Sequence, residues 1–167
     1  MEKDCKDLNR TVAKAVRNFH PPEQLSVTEW SDKYRRLSPE NSAEAGQWRT
    51  SRTPYLKEIM DAFTDPKIHR LAVVASSQVG KTEMEMNMIG YMIDIDPGPA
   101  MFVLPTLDNG KDTSKRRIAP MIRDTKPLRK KVAASRSRDN DNTLLKKAYP
   151  GGMLTITGSN SPASLAS

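Results

Sequence analysis

Cysteine is almost missing from this chain of 167 residues. Cys5 stands alone, which excludes an intramolecular disulfide and fits a reducing compartment. Two histidines, His20 and His69, lie far apart, so no zinc-ligand spacing exists. No apolar run approaches the roughly 18 residues that a membrane span needs, and the mean hydropathy is −0.65. The opening residues, MEKDCKDLNR, lack an apolar signal core, so a cytoplasmic location is expected. Aromatics make up only 5% of the chain, and none falls between Lys111 and Arg138. Stacking on single-stranded bases is therefore unsupported there.

Positive charge, by contrast, is abundant and uneven. The net charge is +7, yet the stretch from Lys111 to Arg138 holds eleven Lys/Arg against Asp112 and Asp124. The remainder is slightly acidic. A basic block on a near-neutral body is the footprint of a polyanion partner, although a charge run also serves as a solvated face. If DNA is that partner, Lys115, Arg116, Arg117, Lys130 and Lys131 are its candidate contacts.

The stretch from His69 to Ile93 organises the rest. A β-branched, apolar run (Leu71, Ala72, Val73, Val74, Ala75) leads through a short polar loop to Gly80-Lys81-Thr82, and a helical pattern follows at once. Strand, loop and helix in this order are the context of a phosphate-binding (Walker A) loop, G-x-x-x-x-G-K-[ST]. Here it reads Ala75-Ser76-Ser77-Gln78-Val79-Gly80-Lys81-Thr82, with Ala in the first Gly position. Alanine is tolerable there if that residue keeps φ negative. Gly80 lets successive N–H groups turn inward toward an anion at the helix start. Lys81 is the candidate catalytic charge for the β- and γ-phosphates, and the Thr82 hydroxyl is the candidate Mg²⁺ ligand.

Taken in order, residues 7–19 predict an amphipathic helix (Leu8, Val12, Val16, Phe19) ended by His20-Pro21-Pro22. Ser26-Val27-Thr28-Glu29 has the form of a capping box, followed by a stripe of Val27, Trp30, Tyr34 and Leu37. Residues 37–52 read as a polar loop. Thr53-Pro54 starts a helix over 54–64 with Tyr55, Ile59, Met60 and Phe63 on one face. The helix from Lys81 to Ile93 carries Met84, Met88 and Met92 beside Ile89 and Ile93, a pattern for packing on a sheet. A second strand, Ala100 to Leu104, follows a turn at Asp96-Pro97-Gly98-Pro99, so the two strands are expected to be parallel. Broken helices are expected over 108–118, from Pro120, and over 127–132. Residues 136–142 read as a loop, and 143–145 with 153–157 read as a hairpin around Tyr149-Pro150-Gly151-Gly152.

One further element is missing. A P-loop ATPase needs an apolar strand ending in a carboxylate to hold Mg²⁺ and activate water, and none follows Asp96. The expectation is a truncated ATPase domain.

Several segments together resemble the large terminase subunits of tailed phages, in the lambda-type (GpA-like) branch. They are Leu25 to Trp30, Arg35 to Glu40, Trp48-Arg49-Thr50, Arg52-Thr53-Pro54-Tyr55, Ser76 to Glu83, Leu104-Pro105-Thr106, Arg117 to Ile122 and Gly158 to Ser167. The resemblance implies an α/β fold with a RecA-like (ASCE) P-loop parallel-sheet core. It would be divided into an N-terminal helical extension, 1–52, and a partial ATPase domain, 53–167. It implies a DNA-packaging motor using ATP and Mg²⁺ in the bacterial host cytoplasm, with the acidic strand and an endonuclease domain beyond this stretch. Double-stranded DNA, a terminase small subunit, the portal and procapsid, and further copies of the chain are the implied partners. By position, Ser76, Ser77, Gln78, Val79, Gly80, Lys81 and Thr82 contact phosphate, and Tyr55 packs on the adenine. Ser77 occupies the place where some members carry an arginine, so any such arginine comes from elsewhere. Two other readings compete: a DNA-directed helicase or recombination ATPase, and a non-catalytic DNA-binding assembly module.

Overall fold

Ser26 caps the first helix in the computed structural model, which describes residues 24–132 and 143–160. The helix expected over 7–19, the loop over 136–142 and the tail over 161–167 lie outside the described residues. The capping box forms: Glu29 N–H donates to Ser26 Oγ at 3.2 Å, and Ser26 N–H donates to Glu29 Oε2 at 2.8 Å. Both bonds satisfy donors that would otherwise be open at a helix start. Helix α1 (Val27–Tyr34) buries Val27 and Trp30. It stops before Leu37 because Arg35 is extended. Leu37 instead joins a short hairpin, β1 (Arg36–Leu37) with β2 (Gly46–Gln47), so the expected loop holds a two-stranded sheet. Trp48 beyond it is buried, and its indole N–H donates to Thr50 Oγ1 at 3.0 Å.

The helix expected from Pro54 begins as a 3₁₀ turn, Pro54–Leu56, before α2 (Lys57–Ala62). A 3₁₀ turn advances further per residue than an α-helix, and the buried face rotates accordingly. Leu56 and Met60 enter the core, whereas Tyr55 and Phe63 are exposed.

Helix α3 (Lys81–Asp94) is the central element. Met84, Met86, Met88, Tyr91 and Ile93 are all buried, more of its surface than the predicted ridges, because α1 packs across a second side. At that crossing a Cβ on Gly90 would lie 2.8 Å from Trp30 Cζ3 and closer still to Cη2. The Trp30 indole N–H donates to Asp94 Oδ2 at 2.8 Å.

Strand β3 (Ala100–Leu104) forms where expected. Helix α4 (Leu107–Thr113) then runs through a π-helical turn (Ser114–Ile118) into α5 (Ala119–Asp124) and α6 (Lys126–Lys131). Pro120 does not break the chain as expected. The Arg116 carbonyl in the turn before it accepts from Asn41 Nδ2. The hairpin is β4 (Lys146–Tyr149) with β5 (Gly152–Gly158), shifted from the expected 143–145. The two-residue turn Pro150-Gly151, with Gly151 at φ +91°, sets the register Tyr149↔Gly152.

The sheet order is β3-β5-β4, with β3 and β5 parallel and β4 antiparallel, so the molecule is mixed α/β with a parallel pair. A further expectation fails. The run Leu71 to Ala75 is in no strand among the described residues, and Val74 is fully exposed. Two adjoining hollows, of about 510 and 230 Å³, share Phe63, Glu85 and Met88. Leu71 and Val73 line the first, while Met101 and Phe102 line the second. The run and β3 are thus held apart, and β-structure requires a neighbour within about 5 Å.

Gly90→Ala is expected to lower stability by about 1–3 kcal/mol through overlap with Trp30. Urea unfolding at unchanged slope checks this; a stability equal to wild type would contradict the packing.

Candidate phosphate loop and basic face

Gly80 is the N-cap of α3 and lies in the left-handed region, at φ 81°. Gln78, two residues earlier, is the one non-glycine with positive φ among the described residues, at φ 59°. Ala75 is not in that region, which accounts for alanine in place of glycine. Alternating hands of this kind turn successive N–H groups to one side and form an anion-binding concavity. A side chain at position 80 would be strained by this φ, and its Cβ would lie 3.3 Å from Leu56 Cδ1, a tight contact that Leu56 would have to relieve.

Lys81 is the first residue of α3, and its Nζ curls back onto the loop. It donates to Ala75 O at 2.8 Å and to Ser76 O at 2.6 Å. Ser76, Ser77 and Gln78 are exposed, and Val79, Gly80 and Thr82 are half-buried. Tyr55 is brought to the same place: its hydroxyl donates to Val79 O at 3.2 Å, while the residue stays 56% exposed. Among the described residues, no group of three His, Cys, Asp or Glu could hold a metal. One turn into α3, burial raises the Glu85 carboxyl pKa, against the pull of Lys81.

A second cluster beside the loop was not anticipated. Glu83, directly after Thr82, holds two arginines from different elements. Its Oε2 accepts from Arg35 Nη2 at 2.9 Å, and its Oε1 accepts from Arg117 Nη1 at 3.1 Å. Arg35 is 3% exposed, and its Nε has no partner among the described residues. Burial lowers its pKa, and the Coulombic fields of Glu83 and Asp124 oppose that. In sequence, Glu83 reads only as an acidic residue in a helix's first turn.

The five candidate DNA residues do not form one patch. Lys115, Arg116 and Arg117 lie in the π-helical turn, at the start of α3, whereas Lys131 pairs with Asp94 at 2.9 Å at its end. Those ends are roughly 20 Å apart by helix rise. Arg116 pairs with Asp112 at 2.7 Å, and Arg123 with Glu40 and Asp124. Lys115, Lys126 and Lys130 are exposed and find no carboxylate partner among the described residues.

Comparison with known proteins bears on this site. The family model for the phage terminase large subunit gpA, ATPase domain, matches residues 42–167. The terminase large subunit of Escherichia phage lambda is 28% identical over 145 residues, covering 87% of this chain and 22% of the relative. That of Enterobacteria phage P21 is 26% identical over 142 residues, covering 85% and 22%. The chain therefore spans about a fifth of the length of these relatives. No solved structure matches.

Gln78→Val is expected to cost about 1–3 kcal/mol, because a β-branched residue resists positive φ, while Gln78→Gly should be neutral or slightly stabilising. Equal urea midpoints for the Val and Gly variants would contradict the loop geometry.

Proposed function

Because the chain belongs to the family of phage terminase large subunits through its gpA ATPase domain, we propose that residues 75–82 bind the phosphates of ATP and that this is the nucleotide-binding part of a DNA-packaging motor. The observation that carries the reading is Lys81. Its amine folds over a loop of alternating hand, onto carbonyls that a phosphate would replace as partner. The N–H groups of Ser76 to Thr82 would line the anion, with the 14-residue helix α3 adding its positive end. Lys81 would bind the β- and γ-phosphates, and the Thr82 hydroxyl would ligate Mg²⁺. Held there, Mg²⁺ would supply positive charge to offset the negative charge of the phosphates. Tyr55, tethered at its hydroxyl and open on its ring, would pack on the adenine.

In this reading the core is RecA-like, with residues 1–52 as a helical extension and 53–167 as part of the ATPase domain. The hollows between the Leu71 run and β3 are where a further strand of such a core, one ending in a carboxylate, would lie. Double-stranded DNA is the polyanion for the basic residues, Lys115, Arg116 and Lys130 foremost. An endonuclease activity, a small-subunit partner, docking on the portal and procapsid, and assembly of several copies in the host cytoplasm belong to the same proposal. No helix among the described residues is long and apolar enough to cross a membrane.

Lys81→Ala is expected to weaken Mg·ATP binding by at least about tenfold in calorimetry, with hydrolysis by this polypeptide near background. Robust turnover that is lost on Lys81→Ala would overturn the expectation of a truncated ATPase domain. Duplex DNA binding should be independent of sequence and fall steeply with salt; an affinity unchanged between low and moderate salt would remove DNA as the partner.

A further inference from the structure

Asn87 is a fully buried amide in the middle of α3, and nothing in the phosphate loop makes use of it. Its Nδ2 donates to Met60 Sδ of α2 at 3.5 Å, and its Oδ1 has no partner among the described residues. A thioether is a weak acceptor, so this bond does not offset the loss of water around the amide. A leucine of similar size would be buried at lower cost and is a better helix former. Asn87 therefore stabilises the fold less than an apolar residue would. What it supplies is direction. Met60 is buried in the core, where apolar contact alone lets a flexible methionine settle in several ways. The next residue, Asp61, accepts from the Thr28 N–H of α1 at 3.1 Å. Adjacent residues leave a helix about 100° apart. Met60 on α3 and Asp61 on α1 thus fix the rotation of α2 about its own axis.

The 3₁₀ turn Pro54–Leu56 runs straight into α2 and is not held by a cap of its own. Thr53 makes no side-chain bond to it, and the buried Thr53 Oγ1 has no partner among the described residues. The turn therefore follows the rotation of α2, and it carries both Leu56, whose Cδ1 packs at Gly80, and the exposed Tyr55. We propose that Asn87 is a positioning residue, whose contact with Met60 pins the rotation of α2 and so aims the Tyr55 ring at the base of the nucleotide. This rests on the nucleotide reading above. The pin acts on the base and not on the phosphates, because the phosphate cradle takes its shape from Gln78, Gly80 and the first turn of α3.

Two substitutions of matched volume separate position from stability. Mg·ATP and Mg·tripolyphosphate, which has the phosphates without the base, are titrated into the whole chain by calorimetry, and urea midpoints are measured alongside. Asn87→Leu should raise the urea midpoint yet weaken Mg·ATP about 3- to 10-fold, the worth of one aromatic stacking contact, with tripolyphosphate within about twofold of wild type. Met60→Leu removes the acceptor and leaves the whole amide unpartnered, so it should lower the midpoint while producing the same selective loss of ATP affinity. The double variant should lose no more ATP affinity than either single one, because both break one contact. ATP affinity unchanged in either variant, or an equal loss for ATP and tripolyphosphate, overturns the pin and leaves the nucleotide reading intact. A midpoint lowered by Asn87→Leu overturns it too, since Asn87 would then be an ordinary structural residue. Wild type that binds neither ligand overturns the nucleotide reading itself. Wild type that binds both equally removes the base contact of Tyr55, and the pin falls with it.

Discussion

A buried guanidinium needs an anion, and that requirement fixes the start of α3. Arg35 closes α1 and is almost wholly buried, and Glu83 is its carboxylate. Removing one member of such a pair leaves an uncompensated charge, at a cost on the order of 3–5 kcal/mol where burial is deep; the partial exposure of Glu83 places this pair toward the lower end. Lys81 and Thr82 directly precede Glu83, so the same ion pair holds the first turn of α3 in place. The loop before it can then keep Gln78 and Gly80 in left-handed conformations. A loose first turn would let both relax.

The opposite end of α3 is held in the same manner. Asp94 accepts from the Trp30 indole and pairs with Lys131, and the six-membered ring of Trp30 packs against Gly90. Helix α1 thus touches α3 at both ends, through a charge at one and an aromatic ring at the other. Basic residues contribute to both anchors, which is why the block between Lys111 and Arg138 is not simply a DNA-binding surface. Arg117, Arg123 and Lys131 are engaged in ion pairs within the chain, while Lys115, Lys126 and Lys130 find no carboxylate among the described residues.

Much of this was legible in the sequence where the signal is local. The capping box at Ser26, the bounds of α3 and the extent of β3 follow from cap residues, glycine and proline acting on their neighbours. The hairpin β1-β2 was hidden because strands of two residues have no periodicity, and Tyr55 pointed outward because a 3₁₀ turn shifted the face. The Leu71 run has the composition of a buried strand, yet pairing depends on a neighbour that composition cannot supply. Within the site, the loop residues and Tyr55 were readable as a set. Glu83 was not, because its meaning lies in arginines 48 residues before it and 34 after it.

The central claim is that residues 75–82 form an anion cradle at the head of α3. Amide hydrogen exchange of the whole chain, with and without Mg·ATP, addresses it directly. The account predicts slower exchange confined to the loop from Ser76 and the first turn of α3, and absent in Lys81→Ala. Exchange at Ser76 to Thr82 that is unchanged by saturating Mg·ATP would contradict it.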